Sequence, residues 1–123
     1  MHRLDGPAGT YWYENGNKRF EVWHSDGKLH RLNGASVIQW YKNGNKHSEK
    51  WYLDGNLNRL DGPAGTYWYE NGKMKTEKWY KNYYLHRLNG PAYTEWYKKG
   101  KKKILKWYLN SNLQYVLKCK KCF

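Results

Sequence analysis

The sequence predicts an all-β fold, an antiparallel meander of stacked β-hairpin repeats forming one open or rolled sheet. Three observations predict it. The phrase His2-Arg3-Leu4-Asp5-Gly6-Pro7-Ala8 returns in register at His30, Asn58 and His86, a period of 28 residues. Each period carries two Trp, alternately 11 and 17 residues apart, so all eight Trp fall on this lattice. Asn-Gly and Asp-Gly dipeptides recur between aromatic segments, and such dipeptides flanked by strand formers mark hairpins. Helix is nearly absent from this reading.

The repeats span 2–29, 30–57, 58–85 and 86–113, so residues 1–113 form one domain, and a capping strand with a basic Cys-containing tail occupies 114–123. A residue that recurs in every period belongs first to the scaffold, and function is sought where the periods differ.

Each period carries two half-phrases, the first being Trp-Tyr-x-x-Gly, at Trp12 to Gly16, Trp40 to Gly44, Trp68 to Gly72 and Trp96 to Gly100. Asn15-Gly16, Asn43-Gly44 and Asn71-Gly72 are read as two-residue type I′ turns, whose central residues both need positive φ. Counting outward from such a turn places Trp12 opposite Arg19, Trp40 opposite His47, Trp68 opposite Lys75 and Trp96 opposite Lys103. A cation over an indole at each rung contributes about 0.5–1 kcal/mol where exposed.

The second half-phrase begins at Trp23, Trp51, Trp79 and Trp107, with Asp26-Gly27 and Asp54-Gly55 as its turns. The same counting pairs Trp23 with His30 and Trp79 with His86, which makes these histidines ring-packing partners. The turn glycine becomes Tyr83 and then Ser111, predicting longer or strained turns, because a bulky residue at positive φ is costly. The Leu-(Asp/Asn)-Gly-Pro-Ala stretch predicts a bulge or corner in the longer strand. Gln114-Tyr115-Val116 fills the slot of His-Arg-Leu and begins the capping strand.

With Val22, Val37, Ile38, Ile104 and Val116 as its only β-branched aliphatics, the chain is expected to draw most of its apolar stabilisation from rings. No apolar run approaches the ~20 residues of a membrane span. Met1 leads into the repeat at once, which predicts no leader peptide and an intracellular or virion location, not secretion.

Catalysis is not expected. The carboxylates Asp5, Asp61, Glu14, Glu70, Glu21, Glu49 and Glu77 are repeat positions, whereas an active site needs one asymmetric cluster. Glu95 is the one acidic residue of the fourth repeat. His2, His30 and His86 stand two strands apart per period, about 9–10 Å, too far to share a metal. No metal site or cofactor is predicted. Cys119 and Cys122 have the spacing of half a zinc site, which only sharing between two subunits would complete.

The chain carries a formal charge of +13, and the successive repeats contribute 0, +2, +2 and +6, with +3 in the tail. The charge is polarised toward the C-terminus. Lys98, Lys99, Lys101, Lys102 and Lys103 surround the fourth hairpin turn, followed by Lys106, Lys118, Lys120 and Lys121. Lysine clusters release counterions from phosphates, and Tyr93, Trp96, Tyr97, Trp107 and Tyr108 stand beside them to stack on a ligand. The expected ligand is DNA or RNA bound without sequence specificity. Anionic lipid head groups and an import-type signal fit the same cluster. A lysine-rich guard on an open edge fits it as well.

The Trp-Tyr-x-Asn-Gly and His-Arg-Leu-Asp-Gly-Pro-Ala phrases, over residues 2–113, resemble MORN-repeat proteins, in the longer-period variant of large DNA viruses of amoebae such as marseillevirus-like ones. The resemblance implies stacked hairpins acting in scaffolding, dimerisation and sometimes lipid association, without shared catalytic residues. It also implies a virion or host-interaction role. Unlike terminal strands further suggest a homodimer through the edges, with a self-assembling scaffold as the alternative function and any protein partner unidentified.

Overall fold

A computed structural model describes residues 9–25, 27–31 and 34–119, and among them no helix forms, so none is long and apolar enough to cross a membrane. The strands are β1 (Gly9–Trp12), β2 (Lys18–Val22), β3 (His24–Ser25), β4 (Lys28–Leu29), β5 (Val37–Trp40), β6 (Lys46–Lys50), β7 (Tyr52–Leu53), β8 (Asn56–Leu57), β9 (Gly65–Trp68), β10 (Met74–Lys78), β11 (Tyr80–Lys81), β12 (Tyr84–Leu85), β13 (Tyr93–Trp96), β14 (Lys102–Leu109) and β15 (Asn112–Lys118). Nine of them form one antiparallel sheet in the order β1-β2-β5-β6-β9-β10-β13-β14-β15. The remaining six form the ribbons β3-β4, β7-β8 and β11-β12. The fold is therefore an open meander of hairpins, with β1 and β15 at its unpaired edges.

The Asn-Gly hairpins differ from the expected two-residue turns. Tyr13 C=O accepts from Gly16 N–H at 3.1 Å, and Tyr13 N–H donates to Asn17 C=O at 2.8 Å. Gly16 has φ 91°, whereas Asn15 stays at negative φ. This is a type I turn closed by a left-handed glycine, the geometry of the longer hairpin loop. The loop is coupled to a bulge on the returning strand. Trp12 pairs with Lys18, Trp40 with Lys46, Trp68 with Met74 and Trp96 with Lys102, one residue short of the expected partner in each case. The bulged Arg19, His47, Lys75 and Lys103 lie over or beside tyrosines instead, at 5.8, 4.8, 5.8 and 5.5 Å from Tyr13, Tyr41, Tyr69 and Tyr97.

The second turns of the last three periods keep two residues, and Asp26 of the first lies outside the described residues. Asp54 and Gly55, Asn82 and Tyr83, and Asn110 and Ser111 all have positive φ, the signature of type I′. The loss of glycine therefore lengthens nothing, and Tyr83 (φ 79°) and Ser111 (φ 66°) hold the strained position themselves.

The corner phrase is explained by one arginine. Arg31, Arg59 and Arg87 stack on Trp23, Trp51 and Trp79 with 3.8, 3.9 and 3.9 Å between guanidinium carbon and ring centre. Arg59 Nη1 then donates to Pro63 C=O at 3.3 Å. A Cβ on Gly62 would lie 2.5 Å from Arg59 Cζ, so the glycine is there to admit the guanidinium. The preceding histidines are not ring partners, although His30 N–H does pair with Trp23 C=O at 3.0 Å. His30 Nδ1 and His86 Nδ1 each accept from a second-turn amide of the same period, Asp54 and Asn110, at 3.1 Å, and Asn58 Oδ1 does the same for Asn82 at 3.1 Å.

A second ladder runs along the Asn-Gly rim. Tyr13, Tyr41 and Tyr69 hydroxyls donate to Trp40, Trp68 and Trp96 carbonyls at 2.7, 2.8 and 2.7 Å. Asn15, Asn43 and Asn71 donate to Lys42, Glu70 and Lys98 carbonyls. Each period thus holds the next by side chain to backbone bonds, always in the same direction.

The interior is thinner than the ring content suggests. The buried residues are small, Ala35, Ser36, Ser48, Gly62, Ala64, Gly65, Thr66, Thr76, Ala92 and Thr94, with Leu105 the one large side chain among the described residues. Most rings are half-buried coverings, and Trp12 on the edge strand is exposed. A single sheet gives a ring no second layer to enter.

Candidate polyanion-binding surface

Side chains alternate between the faces of a strand, so strand register decides which lysines stand together. The fourth-repeat cluster is divided by this rule. Lys98, Lys99 and Lys101 are exposed around the terminal turn, where earlier periods place Asn15, Asn17, Asn43 and Asn45 to reach the next period. Asn71 and Lys73 still reach this turn, donating to Lys98 and Lys99 carbonyls at 3.3 Å each. The fourth rim follows the last Asn-Gly ladder bond, and its asparagines are replaced by Lys99 and Lys101.

Lys102 pairs with Trp96 on one face, whereas Lys103 turns to the other, 5.5 Å from the Tyr97 ring and 3.9 Å from Glu95 Oε2. Lys106 lies 5.1 Å from the Tyr93 ring on that second face. Lys118 and Cys119 join Lys103, Ile104 and Tyr97 around a shallow cleft. Lys120, Lys121 and Cys122 lie outside the described residues. Cys119 N–H donates to Lys103 C=O at 2.8 Å, and no cluster of three metal-ligating side chains occurs among the described residues.

The aromatic candidates are divided in the same way. Trp96 and Trp107 belong to the face of Lys102, with Trp107 tilted against Tyr115 at 5.3 Å. Tyr97 and Tyr108 stand nearer the second face, where Tyr108 contributes to raising the Tyr93 phenol well above its ordinary value, chiefly through burial and the hydrogen bond from Tyr93 to Glu95.

Sequence reasoning missed the inner part of this second face. Lys50 and Lys78 lie 5.6 Å on either side of the Tyr67 ring, and Lys78 and Lys106 lie 5.8 and 5.1 Å from the Tyr93 ring. The contacts run unbroken from Lys50 to Lys106 across five strands. Burial, followed by the charges of Lys75 and Lys50, pushes the His47 imidazole below its ordinary value. The signals were present in the sequence. Lys50, Lys78 and Lys106 recur at the 28-residue period, and Tyr93 stands where the first and third repeats have Gly9 and Gly65.

The opposite face carries lysines paired with carboxylates. Lys18 pairs with Glu21 at 3.2 Å and Lys46 with Glu49 at 2.5 Å. Glu77 lacks that lysine because Met74 occupies its position, and burial raises its carboxyl above the ordinary value against the opposing pull of Arg87 and Lys102. On the basic face, the two cross-strand rows carrying Lys50, Lys78, Lys106 and Lys118 contain one carboxylate, Glu95, whose oxygens are engaged by Tyr93 and Lys103.

No protein-family model, curated protein or solved structure matches the chain.

Proposed function

We propose that this chain is a non-enzymatic interaction module whose basic C-terminal end binds a polyanion, and that the polyanion is nucleic acid held without sequence specificity. The carrying observation is the change at the last rim. Positions that bond one period to the next through asparagine become Lys99 and Lys101, flanked by Lys98, Lys102 and Lys103, with Lys106 and Lys118 following on the last strands. Phosphate neutralisation by such a cluster releases counterions and supplies sequence-independent affinity. The repeated carboxylates support the absence of catalysis, since each is matched by its copies or by a lysine. The likeness of the repeats to viral MORN arrays supports a scaffolding part within a virion or at a host structure.

A labelled duplex of about 30 base pairs titrated across a salt series tests this, with a Lys101→Glu, Lys102→Glu, Lys103→Glu variant alongside. Steep loss of affinity with salt, and abolished binding by the variant, are expected. No binding at low salt overturns the reading and favours the second one, a self-assembling scaffold that dimerises through β1 or β15. Anionic vesicles that bind while DNA and RNA do not would assign the lysines to lipid.

A further inference from the structure

We infer that single-stranded nucleic acid lies across the strands on the tyrosine-lysine face, along the repeat axis, with Lys50, Lys78 and Lys106 contacting phosphates and Tyr67 and Tyr93 stacking bases. This rests on the nucleic-acid reading above and extends it from the terminal rim to the body of the sheet.

The register sets the path. Lys50 and Lys78 both pair with Gly65, and Lys78 and Lys106 both pair with Tyr93, so the three lysines stand in one row two strands apart. At the usual strand spacing they are about 10 Å from one another. A ring fills each interval by a different route. Tyr67 folds back over Gly65, where an added Cβ would meet its Cε2 at 3.6 Å, and Tyr93 occupies the corresponding position in the next period directly. Each ring is flanked by two lysines within 6 Å, and the neighbouring row brings Lys103 and Lys118 beside them at the edge.

Charge and shape select the ligand. The one carboxylate of these rows is already bonded to Tyr93 and faces Lys103, whereas Lys18 and Lys46 on the other face are matched by Glu21 and Glu49. Reading a duplex groove with a helix is not open to this chain, since no helix occurs among the described residues. Alternating rings and ammonium groups on a sheet suit unpaired bases and their backbone.

The test is fluorescence anisotropy of the full chain with labelled oligo(dT) and oligo(U) of about 20 nucleotides, against a duplex of equal length. Each single-strand phosphate contact contributes about 0.7 to the salt slope, or about fivefold in affinity at 0.1 M relative to 1 M salt. Lys50→Gln with Lys78→Gln is therefore expected to weaken binding about 25-fold and to lower the slope by about 1.4. Lys18→Gln with Lys46→Gln, an equal charge change on the opposite face, is expected to weaken it less than about threefold. Should the first double variant not fold, each single variant reads the same effect at about fivefold. Binding that survives Lys50→Gln and Lys78→Gln but fails in the rim variant overturns the inference and leaves the terminal reading standing. Equal loss from both double variants, or duplex bound as tightly as single strand, also overturns it. No binding by the native chain overturns both.

Discussion

Removing one hydroxyl tests the directional ladder that joins the repeats. The Tyr41 hydroxyl donates to Trp68 C=O at 2.8 Å, and Tyr97, its counterpart two periods on, makes no such bond among the described residues. Tyr41→Phe deletes the donor and keeps the ring against His47. A hydrogen bond of this kind contributes about 0.5–1.5 kcal/mol net. For a chain of this size that corresponds to a melting shift of about 2–6 °C. Tyr97→Phe removes the same atom where no period follows and is expected to change stability by less than about 0.3 kcal/mol. Denaturant unfolding read by Trp fluorescence measures both. Burial, and secondarily Glu70, raises the Tyr41 phenol above its ordinary value, so its contribution is fully present below pH 10 and lost as pH rises through the folded value. The penalty of Tyr41→Phe should shrink correspondingly above pH 10. Equal costs for the two variants would refute the ladder.

Three further expectations follow from individual side chains. Tyr83→Gly restores the residue of earlier turns at a position with φ 79° and is expected to stabilise by about 0.5–1 kcal/mol in thermal unfolding, since an exposed tyrosine gives up little burial. Gly62→Ala should cost about 1–3 kcal/mol by displacing Arg59 from Trp51, and far less in an Arg59→Ala background, a non-additivity that a double-mutant cycle measures. Glu77 contributes stability that is fully present below pH 4.5 and is lost as pH rises through its raised folded value, so Glu77→Gln should gain on the native chain as pH is brought from 4 to 7 in denaturant titrations.

The period, the strand content and the hairpin positions were legible because residue spacing at 28 is independent of local geometry. Turn type was less so. Asn15-Gly16 has the composition of a type I′ turn, but Tyr13 and the Asn15 side chain bond into the longer loop, moving the partners of Trp12, Trp40, Trp68 and Trp96 by one residue. The role of Arg59 was also hidden, because stacking on Trp51 depends on a corner that brings residues eight apart together. Lys98 to Lys103 drew notice as a run, yet alternation sends Lys102 and Lys103 to opposite faces. Lys50, Lys78 and Lys106 are scattered in sequence and contiguous only after pairing. A feature built across strands has no local signature.

The most direct test of the account is lysine acetylation footprinting of the native chain with and without oligo(dT), read residue by residue by mass spectrometry. Protection of Lys50, Lys78, Lys103, Lys106 and Lys118 together with the rim residues Lys98, Lys99 and Lys101, with Lys18 and Lys46 labelled as in the free protein, is the predicted result. Protection of Lys18 and Lys46 to the same degree, or none at Lys50 and Lys78, would contradict it.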